Sequence, residues 1–261
     1  LSFDNTTFSA VTESGVGKDI KLFMGIYIRN EKDASLIKRQ SYQFERKLGQ
    51  DSNGTMSEYL LGSISNEMTI NIPQTDKVNI DLSFVSMDNE QRNGTTGPKS
   101  GTRVLALAED ALNTSSDVYR QKVSIYDPAN LNNSALFGFL TEATISITNN
   151  VEPLKAIGVL GAFDASEGTF EVGGSVTAYF SNIEAVQAVT NNSDVGIDIV
   201  LSSQNAGQVF DIPLFSMGNG RLNVEVDSAI TIPIDIGAAE NDKGYTMAYT
   251  NLPYLPDVAM A

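Results

Sequence analysis

Three stretches of this chain hold residue types that chemistry could use. Gly15-Val16-Gly17-Lys18 suggests a phosphate-gripping loop, where glycine amides cradle the anion and lysine neutralises it. The full glycine spacing and the hydroxyl residue after the lysine are missing, so an irregular arm is the plainer account. Asp51-Ser52-Asn53-Gly54 has the composition of a calcium loop, but the roughly 12-residue ligand pattern is absent and a turn suffices. Glu109-Asp110 offers paired carboxylates of the kind glycosidases use. Sugar sites usually stack rings on aromatic side chains, and the chain has no Trp, so a solvated helix face fits that pair better. No catalytic, cofactor-binding or metal-ligating residue is assigned, and no cofactor is expected.

The absences narrow the field further. The chain contains no His and no Cys. Ser–His–Asp and Cys–His nucleophiles, imidazole acid–base work and thiolate or imidazole zinc sites are therefore excluded. Disulfides cannot staple the fold, so its core or partner chains must. With 261 residues, 41% hydrophobic and 19% charged, the chain is long and apolar enough to build a sizeable core. No apolar run approaches the roughly 20 residues that a membrane helix needs. Net charge is −15, from 17 Lys and Arg against 32 Asp and Glu. A nucleic-acid binder needs clustered cations, and this balance runs the other way. Solubility is the ordinary reading of such acidity, and a surface that does not hold DNA is the sharper one.

The elements around these stretches are strands. Gly168–Phe180 (GTFEVGGSVTAYF) sets Phe170, Val172, Gly174, Val176, Ala178 and Phe180 on one face and polar residues on the other. Gly173-Gly174 predicts a bulge or a close backbone approach. Ser181-Asn182-Ile183-Glu184 then has capping-box spacing and predicts a short helix over Ile183–Thr190. Further strands are expected at Ile20–Ile28 (buried), Tyr42–Leu48, Asn66–Ile72, Val78–Val85, Val118–Tyr126 and Glu142–Thr148. Val195–Leu201, Val209–Phe215 (at an edge, because of Pro213), Leu222–Val226 and Ile230–Ile236 continue the series. Turns are expected at Asn30–Asp33, Gln50–Thr55, Pro73–Lys77, Asp127–Ser134 and Gln204–Gly207, and a short helix at Arg103–Leu112. Leu1–Gly17 reads as an arm and Met87–Thr102 as a long loop. The pair Asn66–Ile72 and Val78–Val85 repeats in order and alternation as Glu142–Thr148 and Gly168–Phe180. The fold class is mainly β, a sandwich or barrel with a short flanking helix.

GTFEVGGSVTAYF, the helix after it, VGIDIVL and VFDIPLF together resemble the major tail tube proteins of long non-contractile bacteriophage tails. In that family a Gly-x-hydrophobic-x-hydrophobic-x-Gly-x-hydrophobic-Thr-Ala-Tyr strand leads into the same helix. EATISITNNVEP (Glu142–Pro153) is similar to the strand before it, and YQFERKL with MTINIPQTDKVNIDLSFV resembles the first-repeat strands. The likeness covers about Tyr42 to Val226, and Leu1–Gly17 has no counterpart in it. The chain opens at Leu1 rather than Met and the first repeat reads short, so an upstream segment is an expectation of the sequence.

The resemblance implies two tandem tube-like repeats, 1–105 and 106–261, whose sheets join across subunits into a closed ring. It implies a non-enzymatic virion protein of the siphovirus tail, made in the host cytoplasm, whose stacked rings form a hollow tube with an acidic lumen for DNA ejection. Two repeats per chain favour a trimeric ring over a hexameric one. Implied partners are further copies, the tape-measure protein and genomic double-stranded DNA in the lumen without specific binding, and tail-tip and tail-terminator proteins, with no membrane. Met87–Thr102 is then expected to be an inter-ring arm, ordered only when the next ring docks. A secreted or surface-displayed β-sandwich that binds sugar or protein is the alternative, and an enzyme using carboxylates alone is a third reading.

Overall fold

Alternating apolar and polar residues decide most of this fold. The computed structural model describes residues 25–33, 35–94, 96–103, 105, 111–127, 135–137, 139–180, 183–203, 206–218 and 229–252. Its strands are β1 (Ile26–Arg29), β2 (Tyr42–Asp51), β3 (Gly54–Ile72), β4 (Asn79–Val85), β5 (Asp88–Arg92), β6 (Val118–Ile125) and β7 (Leu140–Thr148). They continue as β8 (Glu152–Leu154), β9 (Asp164–Ser166), β10 (Glu171–Tyr179), β11 (Asp194–Ser203), β12 (Ala206–Gly218), β13 (Thr231–Ala238) and β14 (Ala248–Leu252). One helix, α1 (Ile183–Thr190), lies among the described residues.

The alternation of β10 is realised as predicted. Val172, Val176 and Ala178 are buried, and the strand pairs antiparallel with β7 on one side and β13 on the other. β7 in turn pairs β3, and β3 pairs β4, giving the order β4-β3-β7-β10-β13. Register aligns one apolar face across these strands: Ile70 beside Ile145, Val172 beside Ile147, Val176 beside Ala143 and Ile234. Gly174 is a point of close approach, with φ +145°, where a Cβ would stand 1.9 Å from the Thr144 carbonyl oxygen. The irregularity in pairing with β7 falls later, between Thr177 and Ala178.

β13 then hands its C-terminal half to β12, which carries β11 and, beyond it, β6. Ile197, Ile199, Leu201, Phe210, Ile212 and Phe215 of this second layer join Ile70, Ile145 and Val176 in one buried cluster. Each such side chain, removed from water, stabilises the fold by roughly 1.5–3 kcal/mol before entropy is counted. α1 adds Ala185 and Ala188 to the same cluster, its small residues allowing close contact. Helix bounds match the sequence expectation, while the capping residues Ser181 and Asn182 lie outside the described residues.

Pro213 is not at an edge, contrary to the sequence expectation. β12 pairs β14 through Gly207–Asp211 and β13 through Phe215–Gly218, and Pro213 falls in the gap between those partners. Across from it, pairing with β11 shifts register between Val195 and Ile197, and a Cβ on Gly196 would lie 2.7 Å from the Pro213 carbonyl oxygen. A residue without N–H is tolerated where no ladder bond is asked of it.

β3 is 19 residues long, far beyond the predicted Asn66–Ile72. Its first half leaves the main sheet as an arm, paired with β2 on one edge and β5 on the other. β5 overturns the reading of Met87–Thr102 as a loop that orders only on docking. It continues β4 along β3 in the same register, with Ile64 opposite Val85 and Leu61 opposite Asp88. Tyr59 is buried in the arm, its hydroxyl donating to Glu45 at 2.8 Å and accepting the Lys99 backbone N–H at 2.8 Å. Arg103 bonds Glu45 through two nitrogens and so pins the segment after β5.

Other expectations need correction. Of Ile20–Ile28, only the last part is described, and Ile26, Tyr27 and Ile28 are exposed rather than buried, since β1 has β14 on one edge and no partner on the other among the described residues. The loop holding Pro153, Gly158 and Gly161 contains the β8–β9 hairpin. Phe180 is exposed beyond the end of β10. Leu1–Gly17, Leu222–Val226 and most of Arg103–Leu112 and Asp127–Ser134 lie outside the described residues, as do Gln204 and Asn205 of the expected turn, which Ser203 opposite Ala206 brackets as a hairpin.

Candidate assembly surface

The polar face of β4-β3-β7-β10-β13 is an ordered array of like chemistry across five adjacent strands. Alternation that buries Ile70, Ile145, Val176 and Ile234 turns the intervening residues outward. They are Asn79, Asp81 and Ser83 on β4, then Glu67, Thr69 and Asn71 on β3. Glu142, Thr144, Ser146 and Thr148 of β7 and Glu171, Ser175 and Thr177 of β10 continue them, and Asp235 closes the row on β13. Short polar bonds knit the face together: Asn71 Nδ2 donates to Asp81 at 3.2 Å and Thr177 Oγ1 to Glu142 at 3.2 Å.

Cations are absent from it. Strands β3, β4, β7, β10 and β13 contain no Lys or Arg, against the carboxylates of Glu67, Asp81, Glu142, Glu171 and Asp235. Basic residues sit elsewhere, on β1 and β6 and on the arm, where Arg46 pairs with Glu58, Lys99 with Glu90 and Arg103 with Glu45. Arg103 and the Tyr59 hydroxyl hold the Glu45 carboxyl at about 2, well below its ordinary range.

The opposite, apolar face of the same sheet is incompletely covered. On β4, Ile80 and Leu82 point with the core residues yet remain 43% and 57% exposed. Nearby, Ile28, Met68, Ile80, Ile147, Phe170, Phe210, Met247 and Tyr249 line an open hollow of about 400 Å³. β4, β2 and β1 each leave an edge without a partner strand among the described residues. Free edges of this kind template pairing with another chain.

A second apolar feature projects from the end of β7. The β8–β9 hairpin carries Leu154, Ile157, Val159, Leu160 and Phe163, all exposed. Sequence reasoning placed Pro153, Gly158 and Gly161 here but not the apolar tip, although Ile157, Val159 and Leu160 around those glycines are a visible signal.

The chemistry raised from sequence finds little support in this geometry. Asp51–Gly54 is the β2–β3 hairpin turn, where Asp51 Oδ1 accepts the Asn53 N–H at 2.8 Å. Gly15–Lys18 and Glu109-Asp110 lie outside the described residues. No cluster of His, Cys, Asp or Glu suited to a metal occurs among the described residues. No described helix is long and apolar enough to cross a membrane.

A sheet polar on one side, short of cover on the other and rich in free edges is the surface of a subunit, and comparison with known families gives it a place. The sequence model of the phage tail tube protein family matches residues 2–238. The chain belongs to that family. No curated protein matches the chain. As a tail tube protein it is a structural component of the virion tail, self-assembling into a tube together with other tail proteins. The family read from Gly168–Phe180 and its neighbours is the family matched.

Proposed function

We propose that this tail tube protein forms closed rings that stack into a hollow tube, with the polar face of β4-β3-β7-β10-β13 as the inner wall. Genomic double-stranded DNA slides along that wall during ejection. The observation that carries the reading is the run of carboxylates without a single Lys or Arg across five adjacent strands. Phosphates are held by cations through counterion release, so a wall without them repels the duplex and retains nothing. The same wall accommodates a tape-measure protein before ejection, in a siphovirus-type tail closed by tip and terminator proteins.

The ring is a trimer in this reading. Residues 1–105 and 106–261 act as two tube-like repeats, supported by the β3–β4 and β7–β10 antiparallel pairs lying side by side in one sheet. Three such chains make a pseudo-six-fold wall, and stacking identical rings head to tail gives an open-ended filament. Negative-stain electron microscopy of the purified protein at high concentration tests this. Hollow tubes or stacked rings are expected, with end views built from three chains. Rings of six chains overturn the trimer, and a wall lined by the arm rather than by β10 overturns the lumen assignment.

A further inference from the structure

We infer that the tip of the β8–β9 hairpin is a preformed plug that seats in the apolar hollow between β4 and β1 of a second copy of this chain. The inference rests on the tube-forming reading, in which copies meet at high local concentration.

The plug is held ready. Arg39 bonds Asp164 at 3.0 Å, the Ala165 carbonyl at 2.8 Å and Glu167 at 2.9 Å, clamping one side of the hairpin. On the other side the Ala162 N–H donates to the Met87 carbonyl at 2.8 Å. Val151 and Ala165 bury the base against Ile64. Gly158 and Gly161, with φ +85° and +83°, turn the chain at the tip. This rigid base presents Ile157 at 106% and Leu160 at 94% exposure, uncovered by the described residues of their own chain. A loop already ordered loses little entropy on docking, so its apolar area is turned into affinity with less loss.

The hollow suits such an occupant. Its walls are mostly apolar, with Ile28, Met68, Ile80, Ile147, Phe210 and Tyr249 among them, and its two polar lining residues are engaged, Arg29 by Glu31 at 2.6 Å and Asn30 by the Thr246 backbone N–H at 2.8 Å. A polar guest would lose its water without finding partners there. A volume of about 400 Å³ suits a few aliphatic side chains and not a folded domain. Plug and hollow are open on the same chain, so neither fills the other within it. They are also different surfaces, which makes their contact head-to-tail and self-propagating, as a filament requires.

The natural absence of Cys gives a clean test. Leu160→Cys and Ile80→Cys are made in separate chains, mixed and oxidised mildly, both in dilute solution and in assembled material. A disulfide between the two variants, at least tenfold above either alone, is expected. Its absence in both preparations overturns the inference while tubes seen by microscopy leave the tube reading standing, and a crosslink without tubes does the reverse. As a second arm, Ile157→Asp with Leu160→Asp is expected to abolish assembly while leaving the far-ultraviolet spectrum and melting temperature unchanged. Normal tubes from that variant, or a loss confined to binding of phosphatidylcholine vesicles, also overturn the inference.

Discussion

Asp198 of β11 and Asp211 of β12 stand directly opposite each other across an antiparallel pair. Like charges in that position destabilise a sheet. Arg120 is ion-paired with Asp198. Burial first, and the Asp198 charge second, push the Asp211 carboxyl up to about 6. Folding therefore favours the protonated form. The stability this gives is fully present below about pH 4, the unfolded value, and is lost as pH rises through 6. Unfolding free energies of the wild type from urea titrations should rise between pH 7.5 and 5 relative to those of Asp211→Asn, by about 1.4 kcal/mol in the difference. Parallel curves for the two proteins would contradict the shift.

Tyr59→Phe removes one hydroxyl that serves two partners, the Glu45 carboxylate and the Lys99 amide. Leaving the amide unpaired should cost about 1–3 kcal/mol in denaturant unfolding. Loss should concentrate in the arm, seen as faster amide exchange in β5 and the segment after it, with β10 and β13 unaffected.

Gly174→Ala asks for a methyl group 1.9 Å from the Thr144 carbonyl oxygen, at a backbone angle that L residues rarely adopt. Neither obstacle is a flexible side chain. A loss above about 3 kcal/mol, or failure to fold, is expected by the same denaturant measurement. Gly97→Ala, also at positive φ but with nothing nearby, should cost far less and provides the control.

Charge reversal tests the wall. Glu142→Lys with Asp235→Lys should leave tubes intact by microscopy, since both side chains are on the outward face of their strands. Phage carrying these changes should eject DNA more slowly, with the deficit shrinking as salt is raised and phosphate contacts are screened. Ejection kinetics followed by a DNA-binding dye check this, and unchanged rates at low salt would remove DNA passage from the role of that face.

What was legible beforehand follows from how each element earns its burial. β7, β10, β11 and β13 alternate strictly because one side of each meets the core, and their apolar positions were found from period alone. α1 was found through its capping spacing. β5 (Asp88–Arg92) could not be, because no apolar residue marks a buried side. Its strand state comes from continuing the β4 register along β3, which is a tertiary cause. β8 and β9 are too short for any period. β1 misled in the other direction: its apolar residues are real, but the cover they imply does not come from the described residues of their own chain. The same holds for Ile80 and Leu82, whose exposure was not legible because from sequence their hydrophobicity is indistinguishable from that of core.

One further consequence follows from β3. At about 3.3 Å per residue a fully extended strand of this length would reach roughly 60 Å, and the left-handed Gly62 and the shift between Ser65 and Glu67 shorten it. It is the shared member of the arm and of the main sheet, so no loop separates them, and Gly62, at φ +61°, bends the strand where the arm begins. A pull on the arm runs through covalent backbone and loads the ladders with β4 and β7 in shear, where many hydrogen bonds must yield together rather than one after another. The strand is thus a strut, and a structure assembled from such struts would resist stretching along them while remaining free to flex between subunits.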